Sequence, residues 1–345
     1  MRKFDYSFLK NMVPSDIIGL TSIIYAIKGK EDYRIAKSQK LFSKLKEKAI
    51  VDSIKNSNEI ENIVTTEKRI KDIAKGDNKP LTHDEEEITG YRNVLSNIHN
   101  NYEYITFDEN TILSMHKEML DIAKSENRGN YKKDVNIITE TINGRQYVRF
   151  KPISPEETKD AMEQMILAYY TAKNENINPL LLIPCVILDF LSIHPFDDGN
   201  GRLSRLLTLL LLYKSGFEIG RYISIEKFIN NSKIQYYDKL RESSIGWHEN
   251  ENDYFPFVIY MIQVIYKCYQ TLDENVLSEI EKKLNKSERI EELLMNTYVP
   301  ISKKDIIERL PDISENMIEL VLSKLIKENK IIKIGSYRDA QYYRK

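Results

Sequence analysis

From Asp16 to about Asp52 the apolar residues recur at helical spacing. Ile17, Leu20, Ile24 and Ile27 form one stripe, Leu41, Leu45 and Ile50 another, with Glu31-Asp32 in the polar break between them. A further helix is expected from Ser57, or just after it, to Lys75, where Lys75-Gly76-Asp77-Asn78-Lys79-Pro80 acts as a stop. Two more are predicted at about Asp84–Asn100 and Asp108–Lys124, each opened by an Asp suited to N-capping. The pattern changes between Ser125 and Pro155. There Val135-Asn136-Ile137-Ile138 and Gln146-Tyr147-Val148-Arg149-Phe150 flank Asn143-Gly144, a strong hairpin signal. A lone two-stranded hairpin is marginal in water, so it should lie on the helical body, its edge either blunted or used to hold an extended peptide. Helical periodicity resumes at about Pro155 and continues through Leu272, with loops at Ile193–Gly201, Ser215–Tyr222 and Ile245–Asp253. The most apolar runs, Leu180–Leu191 and Leu206–Tyr213, are too short to span a bilayer and read as buried helices.

A last unit starts near Ser287. It reads as helices over Ser287–Thr297, Lys303–Leu310 and Glu315–Asn329, followed by Ile331–Ile334 and Ala340–Tyr343 around Gly335. Three helices closed by a small hairpin are the outline of a winged helix-turn-helix. Its third helix opens with Ser314-Glu315-Asn316-Met317-Ile318-Glu319, and two glutamates there would repel DNA phosphates. Lys330, Lys333, Arg338, Arg344 and Lys345 make the wing and tail basic. A protein-interaction or dimer module is favoured over DNA binding. The fold class is therefore mostly α: a helical bundle carrying a β-hairpin, plus a small C-terminal winged helix.

Composition narrows the possibilities. At 345 residues the chain suggests two domains or slightly more, on about 150 residues per domain. Its 51 Lys+Arg against 52 Asp+Glu exclude a surface that is one electrostatic glove for nucleic acid or anionic membrane. Cys185 and Cys268 stand far apart, which excludes a disulfide framework or a cysteine-rich zinc site. The opening residues lack an apolar core of signal-peptide length, and a cytoplasmic location with no membrane partner is expected.

The candidate chemistry lies in one loop, His194-Pro195-Phe196-Asp197-Asp198-Gly199-Asn200-Gly201-Arg202-Leu203-Ser204-Arg205. Gly199 and Gly201 allow close backbone approach by a ligand. The helix starting near Gly201 turns its unbonded N–H groups and positive dipole end into the loop, a ready phosphate site. Arg202 and Arg205, three apart, are expected on one side to clamp phosphate oxygens. Asp198 offers the hard oxygen that Mg²⁺ prefers beside phosphates, and His194 can accept a hydroxyl proton. Any one of these is more often an ordinary turn; in one uninterrupted string they point to phosphate chemistry.

This string resembles the signature loop of Fic-domain proteins, matching every position of His-Pro-Phe-x-Asp/Glu-Gly-Asn-Gly-Arg-x-x-Arg. The resemblance extends over about Asp16–Leu272, because the hairpin and the Tyr236-Tyr237 pair fall where that family has them. It implies a Fic-type bundle that transfers a nucleoside monophosphate, usually AMP from ATP, onto a hydroxyl side chain of a target protein (AMPylation) and onto itself. It implies His194 as general base, Asp198 as the ligand of Mg²⁺, and Asn200 with the backbone of Gly199, Gly201, Arg202, Leu203 and Ser204 around the phosphates. Arg202 and Arg205 would hold the β- and γ-phosphates, with Phe196 as a core anchor. The hairpin resembles the family's flap, placing Tyr147, Val148, Arg149 and Phe150 beside ATP, and Tyr236 resembles the aromatic of the adenine pocket. Gly129-Asn130-Tyr131-Lys132 carries Lys where the family frequently has Arg.

Upstream, Ser57-Asn58-Glu59-Ile60-Glu61-Asn62 is similar to the family's inhibitory Ser/Thr-x-x-x-Glu-Gly/Asn motif, in the class whose inhibitory helix precedes the core. The resemblance implies that Glu61 pairs with Arg205, with Ser57 one turn away hydrogen-bonding to Glu61. The expected division is residues 1–100 with the inhibitory helix, 101–272 as the Fic core, and 273–345 as linker helix and winged helix. The partners implied are a target with a Ser, Thr or Tyr hydroxyl and a second copy of the chain. Rival readings keep the fold but change the reaction to another transfer or to removal of AMP, or make the chain a DNA-binding regulator with a nucleotide-sensing core. Among the remaining histidines, His116 reads as structural and His83, His99 and His248 as surface or loop residues.

Overall fold

The computed structural model describes residues 2–11, 13–76, 79–142, 145–283, 285–297, 299–336 and 340–345; the side chains of 32, 37, 140–142, 145–147, 280–283 and 296 lie outside that description. The expected turn Asn143-Gly144 and the wing residue Arg338 thus fall outside the described residues. The chain divides into two compact units, Met1–Asp273 and Glu274–Lys345.

The first unit is helical apart from one hairpin. It contains α1 (Ser15–Lys28), α2 (Glu31–Lys37), α3 (Gln39–Ile60), α4 (Glu67–Lys75), α5 (His83–Asn101) and α6 (Glu109–Asp121). The hairpin β1 (Ile138–Ile142) and β2 (Arg145–Phe150) follows. Then come α7 (Pro155–Asn174), α8 (Pro179–Ile193), α9 (Asn200–Lys214), α10 (Ile225–Asn231), α11 (Lys233–Ser244) and α12 (Phe255–Lys283), the last running past the boundary between the units. The core lies on α8 and α9, which bury residues on nearly every face, as a run such as Leu206–Tyr213 dictates.

Several boundaries differ from the sequence expectation, each for a local reason. Ser57 lies near the end of α3, and Glu61 caps that helix; neither begins the next one. The chain leaves α3 because Asn62 adopts a left-handed φ of 62° and Ile63 N–H returns to the Asn58 carbonyl at 3.0 Å, an Asn-terminated C-cap. Helix α4 starts afresh on Thr66, whose side chain accepts from Arg69 N–H. Thr82 rather than Asp84 caps α5, while Asp108 caps α6 through Thr111 N–H at 2.8 Å. The first strand begins at Ile138, not Val135, since its register pairs Ile142 with Arg145 and Ile138 with Phe150.

Buried polar contacts tie this unit around α8. Asp189, fully buried, accepts from Trp247 Nε1 and Tyr6 Oη at 2.7 Å and from Tyr254 Oη at 2.9 Å, and pairs with Arg2 at 3.3 Å. A buried carboxylate is tolerated only when its oxygens are paired in this way. His99 is likewise buried against Tyr213, contrary to the surface position expected for it, and burial, aided by Arg221, pushes its imidazole down to about 3.

The second unit contains α13 (Lys286–Asn296), β3 (Ile301–Ser302), α14 (Lys303–Arg309), α15 (Glu315–Lys327), β4 (Ile331–Ile334) and β5 (Gln341–Arg344). Its strands form an antiparallel sheet in the order β3-β5-β4, so a short strand missed in the sequence flanks the expected hairpin. Ile290, Leu294, Ile306, Ile318, Val321 and Leu325 fill its own core. Among the described residues no helix is long and apolar enough to cross a membrane.

Close packing of α5 on α6 depends on Gly90, where a Cβ would lie 1.9 Å from the Met119 carbonyl oxygen. Gly90→Ala must part the two backbones and is expected to destabilise the fold by about 1–3 kcal/mol, read as a lowered melting temperature.

Candidate active site

Helix α8 ends at Ile193, and His194, its C-cap, adopts φ 49° in the left-handed region. The chain then turns through Phe196, fully buried and stacked on His116 with centroids 3.7 Å apart and planes 11° apart. His116 is satisfied on both nitrogens: Nδ1 accepts from Gly129 N–H at 2.9 Å, which assigns the proton to Nε2, donated to the Asp198 carbonyl at 3.0 Å. Gly199, at φ 78°, is the N-cap of α9, and no side chain caps that helix. Its first N–H groups are left for an anion.

A cavity of about 430 Å³ opens beside this loop. His194, Gly201 and Arg205 line one part of it, Tyr236, Tyr237 and Leu240 another, and Ile138, Thr139, Arg149 and Phe150 of the hairpin a third. Glu61 reaches in from the end of α3. Arg205 is 3% exposed; its Nε donates to Ser57 Oγ and its Nη2 to the Ser57 carbonyl, both at 2.8 Å, and Nη2 also to Glu61 Oε1 at 2.9 Å. Arg205 Nη1 has no hydrogen-bond partner among the described residues. The same carboxylate oxygen crowds Gly201, where a Cβ would come within 2.2 Å of it. The cavity thus has a cationic and glycine-lined wall already occupied by the protein's own carboxylate.

Several sequence expectations need correcting here. Ser57 serves Arg205 rather than Glu61, because both lie at the α3 terminus facing the same guanidinium. Arg202 does not join Arg205: it is 1% exposed and pairs with Glu87 of α5 at 2.5 Å and Asp198 at 3.2 Å. The Asn200 side chain is turned inward, accepting from Phe196 N–H at 3.0 Å and donating to its carbonyl at 2.7 Å, so only its backbone faces the helix start. Leu203 is fully buried, and Ser204 Oγ donates to the Gly201 carbonyl at 2.7 Å. On the hairpin Arg149 lies over the Tyr237 ring at 5.3 Å and Phe150 stacks on His248, whereas Val148 is exposed outside the cavity lining. The Tyr147 side chain is outside the described residues; its backbone pairs with Glu140. Asn62 supports the turn through its backbone, and Tyr236 is buried against Tyr237 and lines the cavity. Leu240, which lines the cavity, and Glu87, which holds Arg202, were invisible in the sequence, since nothing in their helices marks those positions.

Burial keeps the His194 imidazole neutral near pH 7. Burial pushes His194 down to about 4, the Lys132 ammonium acting in the same direction. Its Nδ1 lies 3.3 Å from the Leu191 carbonyl, which assigns the proton to Nδ1 and leaves the lone pair on Nε2. The Asp198 carboxylate is open to solvent, its side chain 67% exposed, as is its neighbour Asp197. No cluster of three or more His, Cys, Asp or Glu suited to a metal occurs among the described residues. That donor set fits a hard cation held by one carboxylate together with phosphate and water oxygens, not an all-protein cage.

Residues 106–212 match the model of the Fic/DOC family. Protein adenylyltransferase fic-1 of Caenorhabditis elegans is 27% identical over 194 residues, covering 54% of this chain and 34% of that one. A Fido domain-containing protein of Dictyostelium discoideum is 31% identical over 97 residues, covering 27% of this chain and 68% of that one. A Fic family protein of Desulfovibrio desulfuricans G20 shares the fold at a TM-score of 0.63 and 18% identity, over 97% of each chain. This chain spans about a third of the length of the adenylyltransferases it matches first.

The folded chain binds protons at His116 and His194 less readily than the unfolded one, since burial pushes His116 too down to about 4. Between the ordinary value of about 6.5 and pH 4 the unfolded state therefore binds more protons, and stability rises with pH through that window. Proton NMR should give both imidazoles midpoints near 4, and chemical denaturation should show stability declining from pH 6.5 to 4.

Proposed function

The chain belongs to the Fic/DOC family, and from that premise we propose that it is a protein adenylyltransferase, moving AMP from ATP to a hydroxyl side chain of a target protein and of itself, and restrained by Glu61. The observation that carries the reading is the carboxylate on Arg205 and against Gly201: the wall beside His194 already holds an anion, in the place a phosphate group would take.

The steps follow from this geometry. The uncapped start of α9 and Arg205 bind phosphate oxygens, and Arg149, Phe150, Tyr236 and Tyr237 offer a cationic and aromatic wall for the base and sugar. His194 Nε2 takes the proton of the attacking hydroxyl while its oxygen bonds to the α-phosphorus. The bond from that phosphorus to the β-phosphate oxygen breaks, and pyrophosphate leaves. Asp198 would hold Mg²⁺, which when bound would supply charge neutralisation on the phosphate oxygens. While Glu61 holds Arg205, its carboxylate repels the triphosphate and displaces it, and about 1 Å of misplacement is enough to cost roughly a hundredfold in rate.

We read residues 274–345 as a winged helix serving protein contacts. Lys303 is tied to Glu315 at 2.8 Å and Glu319 at 2.7 Å, which leaves the start of α15 acidic on balance and ill suited to DNA phosphates.

Intact-mass measurement of Glu61→Gly after incubation with ATP and Mg²⁺ should show adducts of one adenylyl group. Self-labelling from α-labelled ATP should rise at least about 10-fold over the native chain. His194→Ala in that background should lower transfer by about 10²–10⁴-fold while ATP still binds. An adduct of another mass, or undiminished labelling without His194, overturns the reading.

A further inference from the structure

Lys132 is a buried cation that the chemistry above does not use. It is 3% exposed, and its Nζ donates to the Ile193 carbonyl at 2.9 Å and to Asn136 Oδ1 at 3.0 Å. No carboxylate lies within ion-pair distance of it among the described residues. A buried ammonium with only neutral partners is costly, and burial accordingly pushes it down to about 8. Such a group persists when what it holds matters.

What it holds is the end of α8. The last carbonyls of a helix have no intrahelical donor, and the negative end of the dipole there favours a cation. Helices that end in a left-handed residue ordinarily use glycine, but here that residue is His194 at φ 49°. Four consecutive carbonyls around it are pinned from one short segment. Lys132 Nζ binds Ile193, Lys132 N–H binds Pro195 at 2.9 Å, and Asn136 Nδ2 binds His194 at 3.3 Å and Phe196 at 3.0 Å. The loop therefore keeps a conformation that histidine does not favour because an outside clamp supplies the donors.

We propose that Lys132 is a positioning residue for the base: with Asn136 it clamps the α8 terminus and holds the His194 backbone left-handed, leaving Nε2 directed to the reacting hydroxyl. This rests on the reading of His194 as base. Lys132 touches none of the groups assigned to the nucleotide, so its loss should act on turnover rather than on binding.

The test uses the full chain in the Glu61→Gly background, reading label transfer from α-labelled ATP. Transfer by that parent is measured first; its absence refutes the adenylyltransferase reading and leaves Lys132 to be judged by NMR. Lys132→Met should lower kcat about 10–100-fold with KM for ATP changed less than about threefold, and Lys132→Arg should restore most of it. Asn136→Ala, at a half-buried position, should give the same split in smaller measure and serves if Lys132→Met does not fold. The His194 ring resonances should shift in Lys132→Met and return in Lys132→Arg, whether or not transfer occurs. Unchanged kcat, a loss confined to KM, failure of Arg to rescue, or unmoved His194 resonances each overturn the proposal.

Discussion

The Arg205 guanidinium is buried at 3% exposure beside a carboxylate, and the site is organised around that pair. Arg205 stands one turn into α9, its side chain closed in by α3 and the tyrosines of α11. In this structure Glu61 is the anion, and Ser57 supplies both hydroxyl and carbonyl oxygen to the same group. On the proposed function a phosphate would compete with that carboxylate for the Arg205 guanidinium. On the proposed function this competition is the restraint: one cation, two anions, and a glycine wall with room for only one of them.

For such a competition to have defined states, α3 must not drift. Asp52 pairs with Lys227 at 2.9 Å, Asn56 and Glu59 accept from Asn230, and Ser53 Oγ donates to the buried carboxylate of Glu226 at 2.8 Å. Tyr91 of α5 reaches that same carboxylate. The end of α3 is thus located by α10 and α5 before it meets Arg205. The His194 loop is held with equal care, by Phe196 on His116 below and by Lys132 and Asn136 on its carbonyls. His194 and Arg205 come from the two helices flanking one loop, so fixing the loop fixes the distance between them.

The helices and the Fic-type loop were legible because each depends on local spacing: a period near 3.6, a His-Pro turn, glycines at set intervals. The pairing of Glu61 with Arg205 was legible only through resemblance, since 144 residues separate the two. Errors clustered where the third dimension chooses among locally equal options. Arg202 and Arg205 share a helix face by spacing, yet Glu87 and Asp198 claim one of them. His99 sits in a polar stretch, yet Tyr213 covers it. Ser57 fits either the end of one helix or the start of the next, and left-handed Asn62 decides the matter.

By itself, then, the order of residues determined that this chain is helical, that one glycine-rich loop joins two apolar helices, and that a histidine stands at its mouth. These are properties of neighbours along the backbone. Only the tertiary structure decided which carboxylate occupies the buried guanidinium, which arginine is withdrawn from the cavity, and which lysine binds the carbonyl that ends α8. Each is a contest among groups distant in sequence for the same few ångströms, and its outcome is set by packing rather than by spacing.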